Sequence, residues 1–112
     1  MKVYKLKDMT GGWFVGAFKP AAMVTKIAEV AYKTHKKGEK WPAHYQLKAT
    51  EINCLVRGNM RLVIDKTVWY GLEAGDVFTI EPGEVAEPHF LTNVELVVVK
   101  IPSIPKDKVV VK

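Results

Sequence analysis

The sequence predicts an all-β fold, a sandwich or barrel built from nine or ten short strands. Three features predict it. Runs rich in β-branched and aromatic residues recur along the chain, as in Glu51–Val56 and Glu95–Ile101. Gly, Pro, Asn and Asp punctuate these runs at short intervals. No stretch sustains the helical period, and Ala21–Ala31 holds a helical turn at most.

Taken in order, Val3–Leu6 reads as a first strand, and Gly11-Gly12 marks a turn before Trp13–Phe18. Ala28, Val30 and Tyr32 alternate with Glu29, Ala31 and Lys33, the pattern of a half-buried strand. Lys37-Gly38 ends it. Ala43–Leu47 and Glu51–Val56 are strand-like and joined by Lys48-Ala49-Thr50. Arg57-Gly58-Asn59 is a turn. Met60–Ile64 and Thr67–Leu72 flank Asp65-Lys66 as a tight hairpin. Val77–Ile80 follows Ala74-Gly75-Asp76 and precedes Glu81-Pro82-Gly83. Pro88–Leu91 and Glu95–Ile101 surround Thr92-Asn93, and Val109–Val111 reads as an edge strand.

A chain of 112 residues, 48% of them apolar, suits one domain with its own core, residues 1–112. There is no linker, repeat or low-complexity tract. The single cysteine, Cys54, cannot form an intramolecular disulfide, and it reads as a small core residue. MKVYKLKDMTGGWF lacks the apolar region of a signal peptide, and the longest apolar run, Leu96–Val99, is too short to span a bilayer. The expectation is a soluble, cytoplasmic protein with no membrane partner. The net charge of +5 comes mostly from lysines, several of them in "KTHKKGEK". Such charge attracts anionic ligands, but no basic–aromatic strand signature argues for a nucleic-acid reader. His35 lies among these lysines and reads as solvated.

His44 and Gln46 are two apart and share a face of one strand. Glu51 has the opposite parity, and the turn at Lys48–Thr50 lets it begin the partner strand pointing inward beside them. A fourth donor would have to be His35 or His89. Trp41-Pro42, just before His44, could line the rim, whereas Tyr45 faces away by parity.

These residues resemble the two motifs of the cupin superfamily. The first is matched by Gly38, His44-x-Gln46, Glu51 and Gly58 in every spacing, with Gln46 where the family has a second His. The second is matched by Gly75-Asp76-Val77-Phe78-Thr79-Ile80-Glu81-Pro82-Gly83 and then His89-Phe90-Leu91-Thr92-Asn93. The family's histidine position, three residues after that glycine, holds Ala86 here. Either Glu84–Glu87 form an insertion and His89 points inward, or His89 points out and the site lacks a fourth ligand. The His89–Asn93 spacing and a strand start at Pro88 favour the first.

The resemblance implies a double-stranded β-helix (jelly-roll barrel) with its core at about residues 26–102. It implies a divalent metal, Mn²⁺, Fe²⁺, Ni²⁺ or Zn²⁺, held by His44, Gln46, Glu51 and His89. Glu51 and His89 would also serve as catalytic acid–base groups. The expected ligand is small and polar, anionic or sugar-derived, and the expected chemistry is isomerisation, epimerisation or dioxygenation. The alternative is a metal-free, non-catalytic barrel that binds a small molecule such as a sugar. Cupins commonly form homodimers, and the N-terminal segment and Val109–Val111 are the candidate edges.

Overall fold

The computed structural model describes residues 1–112. Two 3₁₀ turns, Leu6–Asp8 and Thr10–Gly12, precede eleven strands. These are β1 (Trp13–Gly16), β2 (Met23–Val24), β3 (Glu29–His35), β4 (His44–Gln46), β5 (Thr50–Arg57) and β6 (Asn59–Ile64). They continue with β7 (Val68–Glu73), β8 (Val77–Ile80), β9 (Ala86–Phe90), β10 (Val94–Ile101) and β11 (Lys108–Val110). One sheet has the order β2-β1-β3-β10-β5-β8, and the other β11-β4-β9-β6-β7. All neighbouring strands are antiparallel except β1 and β2. The two sheets face each other as a double-stranded β-helix.

Turn chemistry explains much of this layout. Asp65 and Lys66 both adopt positive φ, 51° and 63°, the primed geometry whose twist matches the flanking strands of a hairpin. Asp65 also ties this hairpin to the segment before β9. Its N–H donates to Val85 O (2.8 Å), and its Oδ1 accepts from Val85 N–H (2.9 Å). Gly58 joins β5 to β6 at φ +95°, where a Cβ would run into Asn93 O and Thr92 Oγ1. Only glycine fits there.

The core lies between the sheets. Ala31, Leu55, Met60, Phe90, Val94, Leu96 and Val98 form its main cluster, and Leu62, Ile80 and Ala86 a second. Leu55 and Val94 are fully buried. Each such side chain contributes about 1.5–3 kcal/mol relative to exposure.

Several expectations change. Val3–Leu6 pairs with nothing and leads into a 3₁₀ turn. Met23–Val24 forms a short parallel edge rather than a helical turn. Of the two candidate edge segments, only β11 is an edge strand. Cys54 is half-buried on the outer face of β5, because Asn53 and Leu55 take the inward positions. Most consequential, β3 presents the opposite face to the one its apolar residues suggest. Ala31, Lys33 and His35 turn inward, while the Tyr32 hydroxyl donates to Glu95 Oε1 (2.9 Å) on the outside. No helix is long and apolar enough to cross a membrane.

Candidate functional site

Strand register sets out the cavity in rows. Across β3, β10, β5 and β8 the first row is Glu29, Lys100, Glu51 and Ile80. The second is Ala31, Val98, Asn53 and Phe78. The third is Lys33, Leu96 and Leu55, and the fourth His35 and Val94. The facing wall carries Met60, Leu62, Ala86, Pro88, Phe90 and His44. Between the walls lies a cavity of about 480 Å³. Apolar side chains line much of it, and charged or titratable ones stand in its first, third and fourth rows.

Four lysines (Lys19, Lys33, Lys100 and Lys108) and two glutamates (Glu29 and Glu51) line this cavity. Lys33 Nζ donates to Gly11 O (2.8 Å) and lies 5.8 Å from the Trp41 ring centre. Lys100 Nζ is 5.0 Å from the Trp13 ring centre, and Lys108 Nζ is 4.9 Å from that of Trp41. Two indoles thus hold three ammonium groups by cation–π attraction. Burial lowers the pKa of Lys33, partly offset by Glu39, and Lys100 lowers it further. The stem of Lys108 is exposed along β11, but its ammonium end reaches the cavity. Burial and then Lys100 lower its pKa as well. These cations disfavour one another's charge, and an anion among them would relieve that.

The sequence pointed to His44, Gln46, Glu51 and His89, and the structure brings two of them into the cavity. His44 Nδ1 donates to Pro42 O (3.1 Å), which leaves Nε2 as the free nitrogen. Burial, ahead of all other influences, lowers the pKa of His44. Glu51 accepts from Asn53 Nδ2 (2.9 Å). Gln46 is only 4% exposed and lines a smaller chamber of about 150 Å³ beside Lys100 and Lys108. Its Nε2 has no protein partner there.

His89 turns away from the cavity. It stacks on Trp69 with ring centres 5.8 Å apart, and its Nε2 lies 2.9 Å from Glu87 Oε1 at an ion-pair distance. The reason is register. β9 begins at Ala86 and pairs with β6 without a bulge from Ala86 to Phe90, so Ala86, Pro88 and Phe90 face in and His89 faces out. Pro88 fits mid-strand because of which side its nitrogen faces. Leu91 N–H donates to Asn59 O, whereas Phe90 O accepts from Gly38 N–H on the other side. Even-numbered residues of β9 therefore address β4, which pairs with β9 only at Ala86. Pro88 costs no ladder bond.

The expected four-donor metal set is not assembled. No three His, Cys, Asp or Glu side chains come together closely enough to hold an ion. A divalent cation at His44 and Glu51 would also face Lys100 and Lys108, which act electrostatically on His44. The donors present do not fit a divalent metal.

Sequence reasoning missed His35. Its side chain is only 9% exposed and lines the cavity. The ring stacks on Phe90 (4.2 Å between centres, 14° apart) and meets Trp41 edge-on. His35 Nδ1 lies 2.6 Å from Glu39 Oε2, which also accepts from Trp41 Nε1 at 2.5 Å. The Trp41 indole first, and His35 second, lower the Glu39 pKa to about 2. The available signal was parity: counted from the buried Ala31, positions 33 and 35 also face in.

No protein-family model matches the sequence, and no curated protein is similar to it in sequence. Solved structures do match the fold. One is a double-stranded β-helix domain protein from Klebsiella pneumoniae, 14% identical, with a TM-score of 0.74 over 100% of this chain and 98% of that one. A second is an RmlC-like cupin from Methanocaldococcus jannaschii, 19% identical, with a TM-score of 0.62 over 70% and 72% of the two chains. A third is Streptomyces Pac13, a nucleoside dehydratase solved with uridine, 16% identical, with a TM-score of 0.72 over 81% and 73%. The chain therefore has the double-stranded β-helix fold. An RmlC-like cupin is among the proteins that share this fold.

Proposed function

We propose that this barrel binds a small organic anion without a metal. The observation that supports this best is the set of three lysine ammonium groups, Lys33, Lys100 and Lys108, held by Trp13 and Trp41 around one cavity. The cavity has the size of a small-molecule site. Its apolar lining, with Met60, Leu62 and Phe78, suits a flat or aliphatic body, and its lysines suit a carboxylate or phosphate. Pac13, with uridine in the same type of barrel, supports a small-molecule ligand. The aromatic walls extend that choice to any flat anion.

Calorimetric titration of charged and uncharged pairs tests this reading. The pairs are phenylpyruvate against benzyl alcohol, and uridine monophosphate against uridine. At least one anion should bind ten times or more tighter than its neutral counterpart, and chelator should change nothing. Equal binding within both pairs would sink the anion reading. Binding that vanishes with chelator and returns with Mn²⁺, Fe²⁺, Ni²⁺ or Zn²⁺ would restore a metal centre.

A further inference from the structure

We infer that His35, oriented by Glu39, is a proton-transfer centre that acts on a 2-oxo carboxylate bound in this cavity. The inference rests on the anion-binding reading and adds chemistry to it. His35 is nine-tenths buried and lines the cavity, yet only its Nδ1 is engaged, by Glu39. No protein group bonds its Nε2. A carboxylate on Nδ1–H fixes the tautomer in which Nε2 carries the lone pair, and it stabilises the imidazolium formed when that lone pair takes a proton. His44 lacks this support, because its Nδ1 donates to a backbone carbonyl.

The surrounding structure holds this arrangement rigidly. Phe90 and Trp41 pack against two sides of the His35 ring, and Trp41 Nε1 fixes the same Glu39 oxygen that binds the ring. The Lys36 backbone N–H donates to the other Glu39 oxygen. The loop carrying Glu39 is itself tied down, with Gly38 N–H on Phe90 O and Lys37 N–H on Asn93 Oδ1. Lys33 sits two residues before His35 on the same face of β3. A base of fixed geometry beside cations is the arrangement that enolisation requires.

The step balances without a co-reactant. His35 Nε2 takes the proton from the carbon next to the substrate's ketone. The C–H electron pair becomes a C=C bond, and the carbonyl π pair moves to oxygen as an enolate. A lysine ammonium stabilises that oxygen while another holds the carboxylate. Return of the proton from His35 regenerates the ketone, and in D₂O it delivers deuterium.

The test follows deuterium uptake by the methylene group of phenylpyruvate in D₂O by NMR, beside calorimetric binding of the same compound. Wild-type protein should accelerate uptake over buffer in a saturable way. His35→Gln should lose about a hundredfold or more of that acceleration while its affinity stays within a fewfold. His35→Ala should regain uptake when imidazole is added, a readout that a purely structural role would not produce. Glu39→Gln should slow uptake at saturating phenylpyruvate without weakening binding. Binding without accelerated uptake, uptake that survives in His35→Gln, or no imidazole rescue in a folded His35→Ala overturns the proton-transfer role. If uridine monophosphate binds and phenylpyruvate does not, the proton-transfer role falls and the anion cavity stands. If neither anion outbinds its neutral partner, both fall.

Discussion

Replacing Lys100 with methionine tests the electrostatics of the cavity most directly. Lys100 lies mid-wall on β10, in register with Glu29 on one side and Glu51 on the other. It is also the one cation that lowers the pKa of Lys33, His44 and Lys108. Methionine keeps an unbranched apolar stem but removes the charge and with it the cation–π contact to Trp13. Four lining lysines against two glutamates become three against two. A charge-assisted hydrogen bond to a bound anion contributes about 1.5–3 kcal/mol. Its loss should weaken anion binding by about 10- to 150-fold. Calorimetry with the tighter-binding anion measures this, and Lys100→Arg should retain most of the affinity. NMR titration should show a small upward shift of the His44 pKa in the methionine variant, since burial, its main depressant, stays. Unchanged affinity together with an unmoved His44 would refute the claim that Lys100 organises a cationic cavity.

Other consequences can be measured on the free protein. The Glu39 pKa is lowered to about 2, so its ionised form stabilises the fold above 4.5, and that contribution is lost as pH falls from 4.5 towards 2. Glu39→Gln should flatten this limb of an acid-denaturation curve. His44 binds its proton more weakly in the folded state, so stability should also decline as pH drops below 6.5, and His44→Gln should remove that decline. Gly58→Ala should cost about 1–3 kcal/mol in chemical denaturation, through positive φ and the clash with Asn93 O. His89→Ala should leave anion affinity unchanged, because the ring lies against Trp69 outside the cavity. A tenfold loss there would contradict the register of β9.

The sequence was most legible where local chemistry decides. The hairpin at Asp65-Lys66, the turn at Gly58 and the limits of β8 follow from turn residues and alternation within a few positions. The inward placement of His44 and Glu51 was legible too, because a short turn converts their unequal parity into one shared cavity. What failed depended on partners distant in sequence. Pro88 looked like a strand start, but its tolerance is set by where β4 stops pairing, which β9's own residues do not encode. His35 looked solvated because its neighbours are lysines, yet Phe90 on β9 and Trp41 in the loop after β3 bury it. The face of β3 was misjudged for a related reason. On β3 the inward face carries Glu29, Lys33 and His35, so hydrophobicity marked the wrong side.

The alignment of Glu29, Lys100, Glu51 and Ile80 in one row has a consequence for how this barrel can change. Four strands each contribute one position to that row, and their adjacent positions face outward. Ligand preference can therefore be rewritten there by a few substitutions that leave the backbone ladder and the outer surface untouched. A family of such barrels can diverge in what it holds far faster than in its shape.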